Sequence, residues 1–209
     1  MLHYETIEPG TLAVLKQLMD MEVLSDFALV GVTALALRYG HRISVDLDLF
    51  TEGVMDREAI LAALTDVFGN DFTYRDDQPA KWAIFGFIGD IKIDLVRFPH
   101  QRISEIELDE GLRLYSDADI GPMKIEAILH RAEKKDFWDI AELLQARGLK
   151  QLMDDHRRKY PRNTILISIP RALTHFKDAD DSPTPVCLKG QTWKGVKDVI
   201  QKAVSIFLL

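Results

Sequence analysis

The sequence predicts an α+β fold: a mixed β-sheet with flanking helices, followed by a helical C-terminal lobe. Three observations predict it. Before Pro99 the apolar spacing switches repeatedly between the helical and the strand period. Gly89-Asp90 separates two strand-like runs and is a two-residue hairpin signal. Beyond Pro99 the spacing turns mostly helical.

Taken in order, Pro9 to about Ser25 reads as a helix with Leu12, Leu15, Met19 and Val23 on one face, and Pro9 stands where a first-turn proline is tolerated. Phe27–Val30 is a short buried strand ending at Gly31. Thr33–Tyr39 is a small helix that Gly40 stops as a left-handed cap. Val45–Phe50 is a strand, and Asp56–Phe68 an amphipathic helix closed by Gly69-Asn70. Strands follow at Phe72–Arg75, Trp82–Ile88 and Ile91–Phe98, and Pro99 ends the sheet. Helices are expected at Ile120–Arg131, Lys135–Ala146 and Gln151–Tyr160. Ile165–Leu173 stays open between strand and helix, because Ile165, Ile167 and Ile169 alternate. Asp178–Pro185 reads as a polar loop. Trp193–Leu209 closes the chain as a helix with Val196, Ile200 and Val204 on one face. The boundary falls between Pro99 and Asp119, which gives a domain over residues 1–115 and a lobe over 116–209.

Composition excludes several classes. With 209 residues, 47% hydrophobic and 28% charged, the chain can bury a core and is not biased toward disorder. No apolar run approaches the roughly 18–20 residues that span a bilayer, so no membrane partner is expected. MLHYETIEPG lacks a basic flank and an apolar stretch, so no secretory signal is expected and the location is taken as cytoplasmic. The single cysteine, Cys187, rules out an internal disulfide framework and a thiolate metal cluster. The net charge of −7 is concentrated in the first hundred residues, which hold sixteen acidic and eight basic side chains. The second half carries a basic cluster, Lys150, His156-Arg157-Arg158-Lys159 and Arg162, which reads equally as a solvated helix face or as a phosphate footprint.

The chemistry is concentrated in Ser44-Val45-Asp46-Leu47-Asp48-Leu49-Phe50. In a strand, Ser44, Asp46, Asp48 and Phe50 would share one face, with Val45, Leu47 and Leu49 on the other. Two aspartates on one strand face repel each other, and a divalent cation bridging them compensates. Alone, D-x-D is ambiguous. An edge strand with a solvated polar face carries it, as do aspartyl phosphatases and sugar-nucleotide glycosyltransferases. Gly31 and the helix beginning near Thr33 add free N–H groups suited to phosphate, one helix ahead of the two aspartates. Asp94, in Lys92-Ile93-Asp94-Leu95-Val96, adds a third carboxylate, as a two-metal site requires.

The run from Gly31 to Phe50 resembles the signature of the AbiEii/AbiGii-type nucleotidyltransferase toxins, a family of the DNA polymerase beta-like superfamily. That pattern reads G-G-T-A-L-x-L, a short gap, then G-H-R-x-S-x-D-x-D-L-F. A second block is similar to the family as well: Met123-Lys124, Arg131, and Lys134-Lys135-Asp136-Phe137-Trp138-Asp139-Ile140 leading into Leu143-Leu144. The resemblance covers about residues 25–146. One position departs from it, since the family's Gly-Gly is Gly31-Val32 here. Valine resists positive φ, and its side chain would narrow the approach of phosphate to the backbone.

The resemblance implies a nucleotidyltransferase-like sheet with a catalytic domain over 1–115 and a lobe over 116–209 that completes the active site. It implies transfer of a nucleotidyl group from a nucleoside triphosphate to a hydroxyl of RNA, tRNA included, or of protein, by the toxin of a toxin–antitoxin or phage-defence system. Asp46, Asp48, Asp94, Lys124 and Asp139 would be catalytic. Gly31, Thr33, Arg42, Ser44, Lys124 and Arg131 would bind nucleotide, and Asp46, Asp48 and Asp94 would bind Mg²⁺ (two ions in turnover, Mn²⁺ substituting). A cognate antitoxin is the expected partner. His41 and Arg42 also read as braces for the loop. The alternative is a catalytically silent member that acts by binding a partner, and an aspartyl phosphatase is a third reading.

Overall fold

The computed structural model describes residues 1–75, 80–163 and 167–209 and divides into two compact units. The first comprises Met1–Gly40, Ser44–Gln101 and Glu105–Tyr115; the second comprises His41–Ile43, Arg102–Ser104 and Ser116–Leu209.

The first unit is a seven-stranded mixed sheet with helices. Helix α1 (Pro9–Asp20) carries Pro9 in its first turn and buries Leu15, Leu18 and Met19. It ends earlier than its periodicity predicts, because the chain re-forms as a separate 3₁₀ turn over Glu22–Leu24. Strand β1 (Ala28–Leu29) is followed directly by α2 (Gly31–Tyr39), which starts at Gly31 rather than Thr33 and stops at Gly40 in the left-handed conformation. Strand β2 (Leu47–Thr51) leads to α3 (Arg57–Phe68), whose cap Asp56 accepts a hydrogen bond from the Ala59 N–H at 3.1 Å, worth about 1 kcal/mol. Then come β3 (Phe72–Tyr74), β4 (Ala83–Ile88) and β5 (Ile91–Arg97), the last two joined through Gly89-Asp90.

The sheet does not end at Pro99. A further hairpin, β6 (Glu107–Asp109) and β7 (Leu112–Leu114), turns through Glu110 and Gly111, both at positive φ. The strand order is β3-β4-β5-β2-β1-β7-β6, with β2/β5 and β1/β7 parallel and the remaining pairs antiparallel. Arg113 of β7 fastens the α1–β1 connection by donating to the carbonyls of Phe27, Met19 and Leu24 at 2.8, 2.9 and 3.1 Å.

One face of the sheet is core. Leu47, Leu49, Ile93, Leu95, Ile84 and Ile88 are buried, and α3 packs against β3 and β4. On the other face the register sets Asp48 beside Asp94 and Asp94 beside Phe85. In the next row Phe50 and Ala83 both flank Val96.

The second unit is helical. Ser116 caps α4 (Asp117–His130), and α5 (Lys134–Lys159) is kinked at Gly148, where φ is 73°. The two helices expected over Lys135–Ala146 and Gln151–Tyr160 are therefore joined into one kinked helix, with the break at the glycine between them. Residues 169–173 of the ambiguous segment form α6 (Ile169–Leu173); its Ile165 lies outside the described residues. The expected polar loop opens with a short helix, α7 (Lys177–Asp180). Helix α8 (Trp193–Leu208) buries Val196, Ile200 and Val204 as its spacing predicts. Trp138 stacks on Trp193 with ring centroids 5.6 Å apart, and Phe137 and Phe176 meet the same indole edge-on. No helix among the described residues is long and apolar enough to cross a membrane.

Candidate active site

The residues singled out in the sequence fall into two groups, one in each unit. Gly31, Thr33, Ser44, Asp46, Asp48 and Asp94 belong to the first, and Arg42, Lys124, Arg131 and Asp139 to the second.

In the first unit, β2 delivers Asp48 but not Ser44 or Asp46. The strand begins at Leu47, so the expected single face from Ser44 to Phe50 is cut to Asp48 and Phe50, and Val45, expected on the face of Leu47 and Leu49, is 57% exposed whereas those two are buried. The reason is hydrogen bonding. Thr33 Oγ1 donates to the Asp46 carbonyl and meets Ser44 Oγ at 2.7 Å, and the Ser44 N–H donates to the Thr6 carbonyl at 2.9 Å. Those groups are held by the first turn of α2 and by Thr6 instead of a ladder. Ser44 and Thr33 are both buried, so they brace the segment that carries Asp46.

Gly31 meets two requirements at once. Its φ is +68°, and a Cβ there would stand 2.9 Å from Asp48 Oδ2. The positive φ is thus supplied by Gly31, whereas Val32 lies inside α2 and takes an ordinary negative φ. The backbone objection to Val32 does not apply in this turn. The cap residue Val30 offers no side-chain hydrogen bond, so no side chain from the cap competes for the first N–H groups of α2.

Lys92 was not foreseen as a site residue. It shares the face of β5 with Asp94 at i−2, and its Nζ donates to Asp94 Oδ2 at 2.6 Å. Partial burial would lower the Lys92 pKa. The Asp94 hydrogen bond and the charges of Asp94, Asp48 and Asp46 outweigh that and raise it. Three carboxylates therefore act on one ammonium. Asp94 Oδ1 is buried and has no hydrogen-bond partner among the described residues. No group of three or more His, Cys, Asp or Glu side chains among the described residues closes into a metal-holding cluster. The donor chemistry nonetheless suits a hard divalent cation: all-oxygen carboxylates, two of them paired in register, with one oxygen unsatisfied.

In the second unit, α5 places Asp136 and Asp139 one turn apart on one face. Asp139 is fully buried. It accepts from Arg42 Nε at 2.8 Å and Arg42 Nη2 at 3.0 Å, pairs with His41 Nε2 at 2.8 Å, and meets Lys124 Nζ at 2.7 Å. Burial would raise the Asp139 pKa. The charges of Arg42 and Lys124, with hydrogen bonds from His41 and Arg42, hold it well below the usual carboxylate range. His41 and Arg42 are kept in place from the chain side by a bridge between Arg42 and Cys187. Lys124 also reaches Asp136 Oδ1 at 3.3 Å, and Arg131 binds the same carboxylate at 3.1 Å through both Nε and Nη2. Asp136, which joins Lys124 to Arg131, was likewise missed; its signal is the i, i+3 spacing to Asp139.

Comparison with known proteins identifies the family and the fold. Residues 13–185 match the model of a family described as nucleotidyl transferase AbiEii toxin of type IV toxin–antitoxin systems. An uncharacterized protein of Aquifex aeolicus is 33% identical over 171 residues, covering 79% of this chain and 81% of its own. Among solved structures, JHP933 from Helicobacter pylori is similar with a TM-score of 0.56 at 16% identity, covering 96% of this chain and 92% of that one. MenT4, a nucleotidyltransferase toxin from Mycobacterium tuberculosis, is similar with a TM-score of 0.52 at 14% identity, covering 92% and 83%. The antibiotic-resistance factor ANT(2'')-Ia is similar with a TM-score of 0.53 at 16% identity, covering 74% and 94%. These likenesses establish the fold.

Proposed function

Since the chain belongs to the AbiEii family of nucleotidyl transferase toxins, we propose that it moves a nucleotidyl group from a nucleoside triphosphate to an acceptor hydroxyl, with Mg²⁺ as cofactor. It is a nucleotidyltransferase with the corresponding fold. The observation that carries the mechanism is the Asp48–Asp94 pair, in register on parallel strands beside the Gly31 turn.

The donor's phosphates lie at the N-terminus of α2, where Val30 supplies no side-chain cap to the first N–H groups and the helix dipole favours an anion. Thr33 and Ser44 hold the Asp46 segment against that turn. Asp46, Asp48 and Asp94 would hold Mg²⁺, with Mn²⁺ as substitute, and the bound ion would offset phosphate charge and activate the attacking hydroxyl. Asp94 Oδ1 is the unpaired oxygen for the acceptor side. In the second unit, Asp139 keeps Arg42 and Lys124 aligned, and Asp136 does the same for Arg131. These are the cations assigned to nucleotide phosphate. The acceptor is RNA, tRNA included, or protein, and a cognate antitoxin restrains the enzyme.

Purified protein with Mg²⁺, each α-labelled nucleoside triphosphate in turn, bulk tRNA and a protein extract tests this. Label should appear in one acceptor, and Asp48→Asn and Asp46→Ala should abolish it. Absence of label from every acceptor with all four nucleotides would overturn the reading.

A further inference from the structure

Residues 186–191 run as a strap beside the two residues, His41 and Arg42, that bind Asp139. The Ile43 N–H donates to the Val186 carbonyl and the Leu188 N–H to the His41 carbonyl, both at 2.9 Å, with Arg42 and Cys187 bridged between them. A two-stranded ribbon of this length is marginal in water at best. Apolar burial does not hold it down, since Val186 is 64% exposed and Leu188 43%. Among the described residues, the side-chain hydrogen bonds that leave the strap end on one carboxylate. Glu142 accepts from Lys189 Nζ at 2.7 Å and from Gln191 Nε2 at 3.3 Å.

Glu142 follows Asp139 by three residues on α5, so the two carboxylates rise from one helix face, a turn apart. Asp139 grips the first strand of the ribbon through His41 and Arg42. Glu142 grips the second through Lys189 and Gln191. The contacts close a ring that runs from α5 through Arg42, the ribbon and the strap back to α5. Opening the ring at Glu142 leaves the ribbon tethered on one side only, and Arg42 loses the backbone support behind its approach to Asp139. Glu142 is only 5% exposed. A carboxylate so covered carries a desolvation cost that an apolar residue of similar volume avoids, so stability alone does not account for a charge there.

We propose that Glu142 and Lys189 are positioning residues for nucleotide phosphate: their pair docks the strap, which sets Arg42 and, through Asp139, Lys124. The inference rests on the nucleotidyltransferase reading and adds to it residues that govern triphosphate binding from outside the motif blocks. Because the ribbon is marginal by itself, loss of the anchor makes the undocked form a large share of the protein. Triphosphate affinity then falls with the docked fraction, and saturating triphosphate draws the strap back. Linkage requires the converse, that bound triphosphate holds the strap closed.

The chain's single cysteine, Cys187, lies in the strap and is half-buried, so its thiol reports docking without any need for turnover. The full chain is compared as wild type, Glu142→Ala, Lys189→Met and Lys189→Arg. Two quantities are read: the rate of thiol modification by a small aromatic disulfide, and calorimetric affinity for each of the four nucleoside triphosphates with Mg²⁺. Lys189 is 41% exposed and its pair is partly screened, so Glu142→Ala and Lys189→Met should weaken triphosphate binding about 3- to 10-fold. Thiol modification should accelerate by no less, and saturating triphosphate should return it toward the wild-type rate. Lys189→Arg, which keeps a charged donor, should stay near wild type in both. In the acceptor-labelling assay KM for the triphosphate should rise while kcat holds. Wild-type thiol rates in both disrupting variants would overturn the inference. So would a faster thiol with unchanged triphosphate affinity, the result a purely structural strap gives. With a wild type that binds triphosphate and labels an acceptor, either result leaves the nucleotidyltransferase reading intact. A wild type that binds none of the four triphosphates would overturn that reading and the inference with it.

Discussion

Lys92 Nζ and Asp94 Oδ2 lie 2.6 Å apart on one face of β5, and the same ammonium feels the charges of Asp46 and Asp48. The lysine is an internal counter-ion for the carboxylate group. Lys92→Met should lower the melting temperature of protein kept in chelator by about 2–4 °C, a modest figure because the side chain is 42% exposed and solvent screens the pair. Added Mg²⁺ should raise the melting temperature further in the variant than in the wild type. Scanning fluorimetry with and without the ion reads both, and an equal Mg²⁺ response in the two proteins would contradict the assignment.

Gly31→Ala combines a left-handed backbone with a Cβ 2.9 Å from Asp48 Oδ2. The backbone alone costs about 1–2 kcal/mol for a residue with a side chain. The expected outcome is a loss of at least that much in urea unfolding. Triphosphate affinity should fall as well, because the shift displaces Asp48. Val32→Gly should leave stability lower or unchanged, since no positive φ is needed there.

Asp139 is buried among Arg42, Lys124 and His41 with its pKa depressed. A depressed carboxylate contributes stability that is fully present above its unfolded pKa of about 3.8 and is lost as pH falls through the folded value. Asp139→Asn removes that dependence and leaves two buried cations without their counter-charge, at a cost of about 3–5 kcal/mol near neutrality. Urea midpoints measured from about pH 5 down to about pH 2 should show a shallower acid decline in the variant than in the wild type.

Arg113→Lys keeps the charge but loses the planar fork that reaches three carbonyls. Two of those carbonyls lose their donor, and the drop in stability should be about 2–3 kcal/mol. A change below about 0.5 kcal/mol in the unfolding midpoint analysis would show that the fork does not hold the α1–β1 connection.

Much of the fold is legible in the chain because local signals and tertiary packing agree. Gly40 and Gly148 sit where helices stop or bend, Asp56 caps α3, and Gly89-Asp90 makes the turn it predicts. The β6–β7 hairpin was illegible for a physical reason. Its turn is Glu110-Gly111 rather than Asn-Gly or Asp-Gly, and the left-handed Glu110 is supported by distant groups, the Tyr4 hydroxyl at 2.8 Å and the Leu2 N–H at 3.3 Å. The D-x-D pair misled in one respect. Alternation implies one strand face, but the Thr33 hydroxyl takes the Asp46 carbonyl and ends the ladder at Leu47. Lys92 and Asp136 escaped notice because each acts through a carboxylate and carries no motif of its own.

The parallel pairing of Leu29 with Leu114 bears on how the protein is made. Strand β1 is two residues long and sits in the middle of the sheet, yet one of its neighbours comes from the far end of the first unit's chain. Such distant pairing is slow, because loop closure must precede any gain from contact. During synthesis the flank of β1, and with it the seat of the Gly31 turn, stays open until β7 has emerged. A chain interrupted before Leu112 would display an unpaired strand edge, so an incomplete product would be exposed to proteases and to aggregation.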